Sequence, residues 1–268
     1  GEDLAKGAVA IPAGTWLGAP QLGLAASLGQ ASLTVRTPLK VALFSTGDEV
    51  QAPGEQLAPG HIFDSNRFTL MALIAGAGCE VMDLGIIPDD PAILRQQLAQ
   101  AAADADLVLS SGGVSVGNAD FIKQVLAELG QIAFWRIQMR PGRPLAFGKL
   151  GQTPFFGLPG NPVAAMICFL QFVEPAIARL QGRVWQPLRL SALAEQQMKS
   201  RPGRTEFLRG IFHQDASGVL RVRTTGPQGS GILSSMSDAN CLIEIVPAQP
   251  AIAVGERVWI HPLQGRVA

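Results

Sequence analysis

Between residues 38 and 182, short apolar runs alternate four times with longer amphipathic stretches, and a turn rich in glycine or acidic residues closes each run. No other feature constrains the fold as much. Strand-length runs separated by helix-length stretches predict an α/β layer with a largely parallel sheet. KVALFSTG from Lys40, EVMDLGIIPDD from Glu80, DLVLSSGG from Asp106 and PFFGLPG from Pro154 read as the strands. Helices are expected at DSNRFTLMALIAGAG from Asp64, after Asp90–Pro91, over ADFIKQVLAELG and after Asn161–Pro162, most of them opened by good capping or first-turn residues. IAFWRIQM and PLAFGKL flank the basic turn RPGRP and read as a hairpin or as neighbouring strands. The apolar run through Leu180 reads as a buried helix that Pro175 should kink.

Past Gly182 the pattern changes. LRLSALAEQQ, TEFLRGIFHQ, GVLRVRTT, CLIEIVP and ERVWIHP are short β-prone runs punctuated by turn residues. They predict a small all-β domain over 184–268, following an α/β domain over 38–183. Residues 1–37, including AGTWLGAPQLGLAASLG, read as the remnant of a further domain, so the chain is expected to be a fragment of a longer protein.

Charge and composition narrow the function. Lysine plus arginine equals aspartate plus glutamate at 21 each, which leaves no long-range field to recruit nucleic acid or an anionic membrane, so any anion site is local. No stretch of about 18 apolar residues is free of charge, Gly and Pro, and a soluble protein is expected. Cys79, Cys168 and Cys241 are scattered and odd in number, which favours reduced core thiols in a cytoplasmic compartment. His61, His213 and His261 are equally dispersed, so neither a zinc site nor a histidine-based dyad is legible.

Four strand ends carry glycine with small polar or charged residues: STGDE (45–49), SSGGVSVGNAD (110–120), RPGRP (140–144) and GLPGNP (157–162). Ligands of open α/β sheets bind outside the carboxyl ends of strands, so these loops are expected to share one rim. Glycine lets backbone N–H groups approach a phosphate closely. Taken singly, each is also an ordinary glycine turn after a strand, and neither a Walker loop nor a dinucleotide fingerprint is present. Asp48, Glu49, Asp89, Asp90 and Asp120 follow strand ends where carboxylates can hold Mg²⁺, although Asp90 before Pro91 reads better as a helix cap. Arg136, Arg140 and Arg143 around one turn offer bidentate donors to an oxyanion, or form a solvated basic hairpin.

Read in order, TGDE, DSNR from Asp64, LGIIPDD, SSGGVSVGNAD, FWRIQMRPGRP and FGLPGNPV resemble the molybdopterin molybdenumtransferases, bacterial relatives of the plant cofactor-synthesis and gephyrin E-domain proteins. GRTEFLRG and TTGPQGSGILSSMSDAN extend the resemblance to the C-terminal part. The resemblance implies a three-layer α/β/α molybdopterin-binding domain with a mostly parallel sheet, followed by the all-β domain and preceded by the remnant of a β-containing domain. It also implies the activity: Mg²⁺-dependent joining of molybdate to the dithiolene of adenylylated molybdopterin, with cleavage of the phosphoanhydride and release of AMP.

Carried over, Glu49, Asp89 and Asp120 match the family's catalytic acidic positions, and with Asp48 they are the expected metal ligands. Ser115, Arg136, Arg140, Arg143 and Pro144 match the region lining the pterin phosphate and molybdate, Arg204 and Ser230 are contributions of the β domain, and Pro159 and Pro162 shape the neighbouring loop. A homodimer is implied, with molybdopterin adenylyltransferase and downstream molybdoenzyme chaperones as protein partners. The chain departs from the family in having arginine at 136, 140 and 143, where lysine is common, and Ala164 where serine is common. Two other readings stay open: an adenylyltransferase-like enzyme, and a gephyrin-like scaffold without catalysis.

Overall fold

The computed structural model describes residues 2–113, 120–249 and 251–263, with backbone alone for 120–123, 134 and 135; Ser115 lies outside the described residues. Ahead of Lys40 these residues hold one helix, α1 (Ala19–Ser27), and no strand, so the β content expected of the remnant domain is not represented among them. The α/β layer follows as β1 (Lys40–Ser45), the short pair β2 (Val50–Gln51) and β3 (Ile62–Phe63), α2 (Ser65–Gly76), β4 (Glu80–Ile86), α3 (Pro91–Asp104), β5 (Leu107–Ser111) and α4 (Asp120–Leu129). It continues through β6 (Gly130–Arg136), β7 (Met139–Arg140), β8 (Pro144–Leu150) and β9 (Thr153–Leu158).

Six of these strands form a sheet in the order β4-β1-β5-β9-β8-β6. The first four run parallel, and β8 and β6 complete the edge as an antiparallel hairpin with Arg136 opposite Pro144. The central strands are apolar at nearly every position because both faces are covered. Val41, Leu43, Leu107 and Leu109 pack with Leu70 and Ile74 of α2, while Ala42, Phe44 and Val108 pack with Leu94 and Leu98 of α3 and Leu126 of α4. Each fully buried leucine or phenylalanine contributes about 1.5–3 kcal/mol of transfer free energy.

The chain after β9 is helical from Pro162 to Leu180: α5 (Pro162–Cys168), a π-helical turn (Phe169–Val173) and α6 (Glu174–Leu180). Pro175 was expected to kink this segment. The wide turn directly before it accounts for the helix's continuation, since proline offers no N–H to its i−4 carbonyl and its ring crowds that carbonyl. The helix is long and apolar enough to cross a membrane, but 61% of that window is buried within the protein, where Ile167, Phe169 and Val173 belong to the main core.

The C-terminal part comprises β10 (Leu190–Ala194), β11 (Met198–Lys199), β12 (Thr205–Gln214), β13 (Leu220–Thr224), the one-turn α7 (Ser234–Ser237), β14 (Cys241–Ile245), β15 (Ala251–Ile252) and β16 (Arg257–Pro262). The order β13-β10-β16-β14-β12, with β12 also paired to β13, closes the sheet into a barrel and leaves no long free edge. Alternate residues fill it, among them Ala192, Leu208, Val222, Ile243 and Ile260. Phe207, Met236, Leu242 and Leu263 face outward from the barrel and join the core around α5. The two-residue β7 leaves the hairpin turn and pairs in parallel with β12, a strand more than 60 residues away.

Candidate active site

Parallel register brings four strand ends to one rim. Ser45 lies opposite both Ser111 and Ile86, and Ser111 lies opposite Leu158. Beyond the last paired residues the loops stay bonded: Thr46 N–H donates to the Ser111 carbonyl (3.1 Å), Gly112 N–H to the Leu158 carbonyl (3.1 Å), and Ile87 N–H to the Ser45 carbonyl (2.9 Å). Gly112 has φ +85°, and a Cβ there would stand 2.7 Å from the Thr46 carbonyl oxygen, so the approach of these loops requires glycine.

The DSNR segment braces the rim from below. Asp64 caps α2 by accepting from Arg67 N–H (3.1 Å) and Nε (3.1 Å), and Arg67 Nη1 reaches Asp83 of β4 at 2.5 Å. Asn66 Nδ2 donates to Ser111 Oγ (2.8 Å) and to the Gly160 carbonyl (2.7 Å), tying α2 to the loops after β5 and β9. The Oγ atoms of Ser45 and Ser110 and Oγ1 of Thr46 are buried at the same strand ends without a protein partner. None of these polar groups was singled out as a site residue from the sequence. The available signal was the placement of paired hydroxyls at the ends of otherwise apolar strands.

Three of the four expected acids can be placed. Asp48 and Glu49 occupy the exposed turn after β1, with the Glu49 carboxylate lying over Gly47. Asp89 is half-buried beyond β4, and its Oδ1 is buried without a partner. Burial first, then the negative charges of Asp48 and Glu49, raises the Asp89 carboxyl above its ordinary range. Asp120 opens α4, and its side chain lies outside the described residues.

Among the described residues no group of three or more acids, histidines or cysteines closes into a metal-binding cluster. The side chain of Asp120, the fourth expected ligand, lies outside the described residues, and the negative charges of Asp48 and Glu49 on the exposed turn act against ionisation of Asp89. Hard oxygen donors, one of them buried and unpartnered, still fit Mg²⁺ by their chemistry. Asp90 stands apart as a helix cap, accepting from Ala92 N–H (2.8 Å) and Ile93 N–H (3.0 Å).

The basic turn is split between two tasks. Arg136 and Arg143 are exposed, and Ile137 N–H donates to the Arg143 carbonyl (2.8 Å). Arg140, carried by β7, turns to the barrel, where its Nη1 donates to the buried Glu206 at 3.2 Å. Glu206 also accepts from Arg201 N–H (3.3 Å). Arg140, Glu206, Lys199, Met198, Leu208 and Gln228 line part of a cavity of about 220 Å³ in which Arg140 is the sole residue of the expected site. Of the three arginines, Arg140 thus has a carboxylate partner in the barrel, because pairing with β12 carries it to a group the local sequence does not reveal.

The turn nevertheless abuts the helix after GLPGNP. Gly142, at φ +99°, would place a Cβ 2.5 Å from Cys168 Sγ and 3.6 Å from the Ala164 carbonyl. Pro144 begins β8, Pro159 is buried and Pro162 is the first residue of α5. Ser230 comes to the same helix from the barrel, its carbonyl accepting from Val163 N–H at 3.2 Å. Arg204 is half-buried immediately before β12.

Comparison with known proteins gives this arrangement relatives. Residues 42–179 match the sequence model of a family described as a probable molybdopterin binding domain, and residues 191–263 match the MoeA C-terminal region (domain IV). The chain is 44% identical over 264 residues to a molybdopterin molybdenumtransferase of Haemophilus influenzae, covering 98% of this chain and 65% of that protein. A molybdopterin molybdenumtransferase of Nostoc is 35% identical over 260 residues, covering 94% of this chain and 59% of that protein. Among solved structures, the molybdopterin biosynthesis moeA protein of Pyrococcus horikoshii superposes with a TM-score of 0.81 at 29% identity, over 98% of this chain and 63% of that one. The chain thus spans about two thirds or less of the length of these three relatives.

Proposed function

Because the chain belongs to the MoeA family of molybdopterin-binding proteins, we propose that it carries the site at which molybdate is joined to the dithiolene of adenylylated molybdopterin while the phosphoanhydride is hydrolysed and AMP leaves. The observation that carries this reading is the rim where unpartnered buried hydroxyls of Ser45, Thr46 and Ser110 meet the loops ending β1, β5 and β9. Buried donors of this kind are normally satisfied by a ligand or by ordered water.

In this reading the three hydroxyls, with Ser115, donate to phosphate oxygens of the substrate. Glu49, Asp89 and Asp120, with Asp48, offer carboxylate oxygens to Mg²⁺, whose chemistry when bound is to neutralise charge on the anhydride. Arg136 and Arg143 meet the molybdate dianion from the basic turn, and Arg204 and Ser230 meet it from the barrel. Pro144, Pro159 and Pro162 fix the backbone between them. Arg140, paired to Glu206, aligns the turn with the barrel.

The division into residues 1–37, 38–183 and 184–268 follows from the same reading: the anhydride is handled by the middle part and the oxyanion is shared with the last. The chain is read as working within a homodimer, with a molybdopterin adenylyltransferase supplying its substrate and molybdoenzyme chaperones accepting its product. Ile62, Phe63 and Phe68 are exposed apolar side chains of the sort an interface covers.

The test is calorimetric titration of the 268-residue chain with molybdate, alongside chromatography of AMP after incubation with adenylylated molybdopterin, molybdate and Mg²⁺. Molybdate binding that Arg143→Ala weakens is expected. A chain that binds neither molybdate nor the adenylylated pterin refutes the reading.

A further inference from the structure

Asn66 stands in the first turn of α2, yet it does not cap that helix, a task that Asp64 performs. Its buried amide spends both hydrogens of Nδ2 on other segments: one goes to Ser111 Oγ at the end of β5 (2.8 Å) and one to the Gly160 carbonyl in the loop after β9 (2.7 Å). A carbonyl oxygen can only accept, so Gly160 fixes which end of the amide faces the loops. Ser111 Oγ therefore accepts from Asn66, and its own proton is left to donate elsewhere. Among the described residues no acceptor meets that proton.

A second hydroxyl lies on the same face of the sheet. Side chains alternate along a strand, so Ser45 and Ser111, each two residues beyond a leucine of the core under α2 (Leu43 and Leu109), project toward that helix. The two serines are opposite each other in parallel register, and Ser45 Oγ is buried without a protein partner. Adjoining hydroxyls whose protons find no protein acceptor suit a group that only accepts, such as a phosphate oxygen. Packing does not call for them, since burying a hydroxyl unsatisfied is unfavourable and a ligand or water normally completes it.

We infer that Asn66 is a positioning residue for the nucleotide phosphate: held by the Gly160 carbonyl and donating to Ser111 Oγ, it makes the Ser111 hydroxyl a fixed donor, beside Ser45, to a phosphate oxygen. Asn66 itself does not touch the ligand. The inference rests on the adenylylated-substrate reading given above, and adds to its hydroxyls Ser111 and the residue that aims it.

The experiment uses the 268-residue chain with AMP and Mg²⁺ as the probe, affinities from calorimetry and folding followed by thermal melts. Asn66→Asp keeps the shape of the side chain but replaces the donor by a carboxylate oxygen, which draws the Ser111 proton to itself. It is expected to weaken AMP binding by about tenfold or more, the scale of one lost hydrogen bond to a charged group. Ser111→Ala is expected to lose about tenfold for the same reason.

The double variant separates positioning from a merely structural brace. Because Asn66 acts through Ser111, Asn66→Asp should cost about threefold or less once residue 111 is already alanine. If Asn66→Asp does not fold, Asn66→Leu carries the same cycle, its loss again confined to the chain that keeps Ser111. Single losses that multiply in the double variant overturn the inference, as does a folded Asn66 variant that binds AMP as the unaltered chain does. Failure of the unaltered chain to bind AMP strikes instead at the underlying reading.

Discussion

Gly112→Ala tests whether the rim depends on the close approach of two loop backbones. At φ +85° an alanine sits in the left-handed region, which costs about 1–2 kcal/mol. Its Cβ would also lie 2.7 Å from the Thr46 carbonyl oxygen, a backbone atom that no side-chain rotation can move away. Forced overpacking of this kind adds about 1–3 kcal/mol. A total near 3 kcal/mol lowers Tm by about 6–12 °C for a chain of this size.

Gly160 is the matched control. It lies on the neighbouring loop, its φ is outside the left-handed region, and a Cβ there meets only Gly112 Cα at 3.9 Å. Gly160→Ala should melt within about 2 °C of the unaltered chain, since a compatible glycine-to-alanine change is neutral or mildly stabilising. Differential scanning calorimetry on the three proteins decides the matter. Equal melting temperatures for Gly112→Ala and Gly160→Ala would refute the argument that the loops meet as described.

Asp89→Asn should raise Tm in the absence of divalent ions, because it removes a carboxylate that burial, Asp48 and Glu49 all disfavour, and Mg²⁺ should then stabilise the unaltered chain more than the variant; identical Mg²⁺ responses in thermal melts would contradict this. Asp90→Ala should cost about 1 kcal/mol through loss of the α3 cap while leaving any Mg²⁺ response intact, which melts with and without Mg²⁺ will check. Glu244 is held below the usual carboxylate range, chiefly by its hydrogen bond with His261 and also by Arg189. Its stabilisation is therefore full above the unfolded-state value near 4.3 and is lost as pH falls through the lower folded value. Chemical denaturation between about pH 5 and 3 should show a shallower loss of stability in Glu244→Gln. Burial raises the thiols of Cys168 and Cys241 to about 12 and of Cys79 to about 11, so all three should resist iodoacetamide at pH 8 until the chain is unfolded, as mass spectrometry will show.

The layer structure was legible in the residue pattern alone. Runs such as KVALFS and LVLSS, apolar at most positions and closed by turns, suit parallel strands covered on both faces, and that requirement is local enough to read. Asp90 was legible as a cap for the same reason, since its partners lie two and three residues ahead. Glycines at strand ends marked the loops of the rim, although nothing local told which side chains would face it.

Those choices depend on contacts between distant segments. Asn66 finds its partners 45 and 94 residues away, and Arg140 finds Glu206 across 66, because strand register and the docking of the barrel on α5 bring them together. Arg209 reads in sequence as one more basic residue in a β run, and its full burial exists only once β12 is enclosed. Local preferences set which elements form, whereas the pairing of charges depends on distances between segments that a linear pattern does not carry.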